Sequence, residues 1–202
     1  RTGDHAMIQD AIAAFRAALA KRPRDTMPKQ WAATQGNIAL ATTVLAELRP
    51  DLASLDDAEA AYRAVLEVVT RETDAVFWAT VQNNLGNALL AKGKARNDPS
   101  FHQQAVAAYE AALSVRDRET WPFQHATTTM HLGNAYAALA QHDWWGTTNL
   151  DKARAAFETA LSLLDRDRTP IDWAAAQNNY AIALQTLGQK TGDAAMLHAS
   201  AQ

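Results

Sequence analysis

One segment of this chain recurs, and the recurrence limits the fold more tightly than any other feature. WAATQGNIALA begins at Trp31, WATVQNNLGNA at Trp78, HATTTMHLGNA at His125 and WAAAQNNYAIA at Trp173, at spacings of 47, 47 and 48 residues. A second segment keeps the same period: AIAAFRAAL from Ala11, AEAAYRAVL from Ala58, AVAAYEAAL from Ala105 and ARAAFETAL from Ala153. A short element joins them, Arg24-Asp25, Arg71-Glu72, Arg118-Glu119 and Arg166-Asp167. A unit repeated at this length is one supersecondary element, which buries its apolar face only by stacking on its neighbours.

Each repeat reads as two antiparallel helices. In the first, helix A, residues Trp78, Val81, Leu85, Ala88, Leu89 and Lys92 fall on one face at helical spacing. In the second, helix B, Ala105, Tyr109, Ala112 and Leu113 do the same. Breakers mark the A–B connections at Pro50, Gly93, Pro99, Gly146 and Gly192. The B–A connections carry Pro28, Pro122 and Pro170, and Thr169-Pro170-Ile171-Asp172 reads as a helix start with Thr at the N-cap. The recurring Ala79, Ala126 and Ala174, with Gly86 and Gly133, are small where another helix must come close. The expected bounds are an unpaired B helix over 3–22 and repeats over 28–72, 75–117, 122–166 and 170–202, the last truncated, as one array.

The pattern resembles the tetratricopeptide repeat (TPR). Leu85, Gly86, Ala105, Tyr109 and Ala112 match that family's small and large positions, as do Leu132, Gly133, Ala153, Phe157 and Ala160. The repeat is longer than the usual TPR unit. NNLGNAL followed by AALSVRDRE is most similar to the lengthened repeats of kinesin light chain and of large bacterial TPR signalling proteins. Gln82 stands where the family usually has Trp, with Trp78 four residues earlier. The resemblance implies an all-α, right-handed solenoid of antiparallel helix pairs. It further implies a non-catalytic scaffold that binds a protein or peptide segment, as the sensor or adaptor part of a larger bacterial protein.

Composition narrows the remaining options. A net charge of −3 argues against nucleic-acid binding. With no cysteine, disulfides and thiolate metal sites are out, and a reducing cytoplasm is favoured. No apolar run approaches the roughly 18 residues that span a bilayer, so no membrane partner is expected. The six histidines form no ligand set, the Gly-Lys of GNALLAKGKA lacks P-loop spacing, and no GxSxG is present. Neither catalysis nor a cofactor or metal is expected, although a pocket lined by titratable groups would signal a small-ligand receptor or enzyme. Asp56, Asp57 and Glu59 are read as acids complementing the dipole at the start of a B helix. TGDHAMI at Thr2 matches TGDAAML at Thr191, so the chain begins and ends in half-repeats. Ile8, Ile12, Phe15 and Leu19 at one end, and Met196 and Leu197 at the other, would then be uncovered. A fragment of a longer array, or end-to-end homo-oligomers, is the expectation.

The repeats supply an internal control: positions held in every copy hold the fold, while outward positions that vary can read a ligand. Held positions include Arg24, Arg71, Arg118 and Arg166, read as pairing with their neighbouring acids to tie a B helix to the next A helix. Asn37, Asn84 and Asn179, with His131 as the exception, lie on a flank and are read as structural amides bonding to a neighbouring helix. With Leu85 at the core centre, the outward positions become Gly36, Asn83, Met130 and Asn178, and Leu40, Asn87, Asn134 and Ile182. The other outward pairs are Ala33 and Thr43, Thr80 and Leu90, Thr127 and Ala137, and Ala175 and Gln185. In TPR proteins this face lines the concave groove; here it would be uncharged and amide-rich. Asparagine can donate to and accept from any peptide unit. Solvated surface amides are the alternative reading. Trp144-Trp145, at the one extra residue of the array, are read either as an exposed hot spot or as a roof over a gap between repeats.

Overall fold

The structure, a computed structural model, describes residues 2–48 and 51–193, with side chains from residue 5. Pro50, Met196 and Leu197 lie outside the described residues. Among those residues are eight α-helices and no strand: α1 (Thr2–Leu19), α2 (Pro28–Leu48), α3 (Leu52–Leu66), α4 (Ala75–Arg96), α5 (Pro99–Leu113), α6 (Pro122–Ala140), α7 (Thr148–Leu161) and α8 (Pro170–Thr191). The chain is all-α, and the consecutive helices α1 to α4, and likewise α6 to α8, pack on one another as in a solenoid of helical repeats. The even-numbered helices carry the A segment and the odd-numbered ones the B segment. Contacts divide the chain into two compact units, Arg1–Phe101 and His102–Gln202, so the boundary falls inside α5.

The period of the sequence is visible in the turns before the A helices. Backbone N–H groups of Met27, Asp74, Trp121 and Thr169 each donate to the carbonyl four residues earlier, at 2.8, 3.0, 3.0 and 2.8 Å. Four different residues at one repeat position thus make the same bond. One expected boundary needs correction. Gly93 lies buried inside α4, which continues to Arg96; the helix stops at Asn97, left-handed at φ 53°, with the Asp98 N–H reaching back to Gly93 O. Thr169 stands at the N-cap of α8, but its hydroxyl makes no capping bond; it donates to Asp165 O in the turn.

In unit 1, α2 packs on α1, α3 and α4, and α3 packs on α4. Its core includes Ile38, Ala39, Leu55, Ala58, Tyr62 and Val65. Ile12 was expected to be uncovered but is buried, whereas Ile8, Phe15 and Leu19 are half-buried. Ile12 corresponds to Glu59 of α3, which faces the following A helix, so it belongs to the packed side of α1. In unit 2, α7 packs between α6 and α8, which also touch each other. The core there joins Ala126 and Met130 of α6, Ala153, Phe157 and Ala160 of α7, and Ala176 and Ala183 of α8. Gly133 is small for a direct reason: a Cβ there would meet the Phe157 ring at 2.6 Å.

The α3–α4 contact of unit 1 contains charge. Lys92 is 8% exposed, with Nζ 2.5 Å from Asp56 Oδ1 and 2.6 Å from Glu59 Oε2, and it sits 4.6 Å from the centre of the Phe101 ring. Arg96 pairs with Asp56 and Arg63 with Glu59. These acids therefore do not serve the helix dipole, as the sequence suggested. The N-terminus of α3 is capped by Asp51, whose carboxylate accepts from the N–H groups of Ala53 and Ser54.

Candidate functional site

An A helix in a stack is covered by its own repeat's B helix, by the preceding B helix and by the A helices beside it. Only a narrow strip stays open. In α2 that strip is Ala33, Asn37, Leu40 and Val44, all exposed, spaced i, i+4, i+7, i+11 along one line. The same positions are Thr80, Asn84, Asn87 and Ala91 in α4, and all four are half-buried. They are Thr127, His131 and Asn134, half-buried, and Ala138, buried, in α6, and Ala175 and Ile182, exposed, with Asn179 and Thr186, half-buried, in α8. None of these residues is Asp, Glu, Lys or Arg.

This strip lies about 50° round the helix from the outward face expected above, half of one residue step. The correction matters for named residues. Asn83 is 8% exposed and Met130 is 7% exposed, so neither is an outward reader of a ligand. Met130 packs with Ala176 and Ala183 of the next A helix. Thr43 and Leu90 are likewise buried. The error came from placing only one buried direction on the wheel, when A–A packing buries a second. In α8, beyond which the described residues contain no further helix, Asn178 and Gln185 are exposed, as are Ala174 and Ala175.

Asn84, expected to be mainly structural, is on the open strip, where its Oδ1 accepts from Asn83 Nδ2 at 3.2 Å. The expected cross-helix amide bond forms at the equivalent Asn179, whose Nδ2 donates to Asn134 Oδ1 on α6 at 2.9 Å. In unit 1 the residue in place of Asn134 is Leu40, which offers Asn84 no amide. The hydroxyls of Thr80 and Thr127 donate to the backbone of their own helices, at Val76 O and Gln124 O.

Three arginines of the B–A turns, Arg24, Arg118 and Arg166, meet groups other than their neighbouring acids. At the fourth, hydrogen bonds from Thr70 and the Glu72 backbone, and then the Arg71 charge, hold the Glu72 carboxyl below its usual range. The guanidinium of Arg24 lies 4.9 Å from the Trp31 ring centre and that of Arg166 lies 5.4 Å from Trp173. Arg24 also bonds Glu67 at 2.8 Å, and Arg118 bonds Ser162 at 3.0 Å, one repeat onward at the same position. Arg71 is exposed at the equivalent place. The tie to the next A helix is therefore a cation–π stack, of the order of 0.5–1 kcal/mol.

Unit 2 carries the most complete candidate site. A cleft of about 280 Å³ lies between the strips of α6 and α8 and the loop joining α6 to α7. Ala137, Ala140 and Ala183 form its floor with Leu150 and Phe157; Asn134, Asn179, Ile182, Gln141 and Trp144 edge it. Trp144 and Trp145 are 84% and 97% exposed, so they roof nothing. The loop is nevertheless held. Gly146 N–H donates to Asp143 Oδ1 at 2.7 Å, and Lys190 of α8 donates to the carbonyls of Asp143 and Gly146. A Cβ at Gly146 would lie 2.1 Å from the Asp143 carboxylate, so a larger residue there must push that carboxylate aside. Gln141, Asp143, Thr186 and Lys190 were not anticipated. The available signal was the charge-free spacing of the strip, followed past the end of each helix to the single inserted residue.

In unit 1 the strip of α2 edges a different groove, between the B helix α1 and α2, lined by Met7, Ile8, Phe15, Leu40 and Val44 with Asn37 its sole amide. Titration is perturbed away from both clefts. His131 has its pKa lowered to about 4, by burial first and then by the Arg116 charge, with Asp172 opposing. Among the described residues no three His, Asp or Glu side chains gather as a metal-ligand group, and no helix is long and apolar enough to cross a membrane. Comparison with protein-family models, with curated proteins and with solved structures finds no match to this chain.

Proposed function

We propose that this chain is a TPR-like interaction module that binds an extended peptide segment along the open strips of its A helices, as part of a larger signalling or adaptor protein. One observation carries the reading: the exposed and half-buried positions of this strip hold no Asp, Glu, Lys or Arg in any of the four A helices, in a chain where 20% of residues are charged. A solvated surface has no reason to exclude charge so consistently. A surface that desolvates against a neutral backbone does, since each buried unpaired charge is costly. The Asn134–Asn179 pair suits that task. One amide oxygen and one amide nitrogen of the pair are used on each other, and the remaining donor and acceptor match the two sides of a peptide unit.

The test is selection of random linear peptides displayed on phage against the whole chain, followed by titration of the selected peptides. Joint Asn134→Ala and Asn179→Ala substitution, with helicity checked by circular dichroism, is expected to weaken binding about tenfold, the value of one or two net hydrogen bonds. Asn178→Ala, exposed but off the strip, is expected to leave it unchanged. Selection of strongly charged peptides, or indifference to the Asn134 and Asn179 changes, would remove the basis for this reading.

A further inference from the structure

We infer that the cleft of unit 2 is a side-chain specificity pocket for the bound peptide, and that it takes one large apolar residue, aromatic or long aliphatic, seated against Trp144. The inference rests on the peptide-binding reading and adds the identity of what is read. The inserted residue of the array is the source of the pocket. It lengthens the α6–α7 loop, and the loop swings a tryptophan to the edge of a strip that has no aromatic side chain of its own.

Three features fix the occupant. The volume of about 280 Å³ is at the lower limit for ligand pockets, room for one side chain and not for a cofactor. The floor is hydrocarbon: alanines make the depth, and Leu150 and Phe157 close it. The charges at the rim are already committed within the loop, since Lys190 holds two loop carbonyls and the Asp143 carboxylate holds the Gly146 N–H. One positive and one negative group side by side leave no net field for a charged residue to answer. A neutral, apolar side chain fits, with its flanking backbone against Asn134 and Asn179. The loop backbone on either side of Trp144 is held by its own bonds, so the ordering that remains on binding is that of the Trp144 side chain.

The experiment uses the same selected peptides and the whole chain. The peptides are expected to share one bulky apolar position, and replacing it by Ala should weaken binding about thirtyfold, the scale of a buried aromatic anchor. Trp144→Ala should produce a similar loss, Trp144→Phe should retain most of the affinity, and the losses from the peptide and Trp144→Ala changes should not add when combined. Trp145→Ala, outside the cleft, should stay within about twofold of the parent. If the peptides depend on Asn134 but bind the Trp144→Ala variant as well as the parent, or if Trp145→Ala costs as much, the pocket is wrong while the groove stands. If no peptide is selected, groove and pocket fall together.

Discussion

The two units are made from one repeat and solve the same packing problem with different chemistry. Where α4 meets α3 in unit 1, Lys92 is held by Asp56 and Glu59. At the equivalent place in unit 2, Leu187 of α8 packs with Leu150 of α7 and Ala140. The repeat therefore specifies a contact between two helices without specifying its polarity. Buried ion pairs often contribute no more stability than hydrocarbon of similar volume, but half of one is a liability. The first and largest prediction follows. Lys92→Leu alone is expected to destabilise by about 3 kcal/mol in urea unfolding, since it leaves two acids facing an apolar side chain. Adding Glu59→Val, which with Lys92→Leu copies Val106 and Leu139, the residues one repeat onward, should recover most of that loss. A double variant no better than the single one would mean the units differ in more than this pair.

A second contrast sits on the strip itself. Three A helices have Asn at the position of Asn37, Asn84 and Asn179, and the fourth has His131. Burial depresses the folded-state pKa of His131 to about 4, below the ~6.5 of an exposed histidine. Between those values the unfolded chain binds a proton that the folded chain refuses. The stabilisation is thus complete above pH ~6.5 and is lost as pH falls toward 4, by roughly 2–3 kcal/mol. His131→Asn, which restores the residue of the other repeats, should flatten that part of the pH profile. An unchanged profile would place the sensitivity elsewhere.

The smallest effect concerns the helix spacing. Gly133→Ala puts a methyl group against the Phe157 ring, where the first repeat accommodates Ala39, buried in its own core. A loss of about 1–2 kcal/mol is expected by thermal or urea unfolding, because the ring must shift within a filled core. A neutral result would mean that unit 2 has slack that unit 1 lacks.

Much of the fold was legible because repetition averages out local ambiguity. Three copies of WAxxQxN with the variant HATTTMH, and four of AxAA followed by Phe or Tyr, identify helices that any single copy would leave doubtful. Single-copy features were read less well. Gly93 looks like a stop but is a close-packing residue, and the true stop, Asn97, has no counterpart in the other repeats to reveal it. The candidate site was half legible. Asn134, Ile182 and Trp144 were anticipated, whereas Asn83 and Met130 were assigned to the wrong side. A hydrophobic wheel reports how apolar a face is, and the A–A contact is made largely by small or polar residues such as Ala32, Gly36 and Thr43. Lys190 could not be found from its own repeat position, because its role is set by a loop that exists in one copy only.

The B–A turns hold one more regularity. Thr34 and Thr128 are fully buried, and each hydroxyl accepts from an arginine twelve residues earlier, Arg22 at 2.6 Å and Arg116 at 2.8 Å. In the second and fourth repeats both members are apolar, Val69 with Val81 and Leu164 with Ala176. The array thus alternates between two kinds of joint. A folding chain of near-identical repeats can dock a helix on the wrong neighbour, and most of its contacts would not register the mistake. Here a slip of one repeat would set Val69 against Thr128 or Arg116 against Val81, stripping a buried hydroxyl of its donor or facing a guanidinium with hydrocarbon. A slip of two repeats would match, but it must close a loop twice as long. A slip of one repeat would therefore leave a buried polar group unpaired, a penalty that identical joints would not impose.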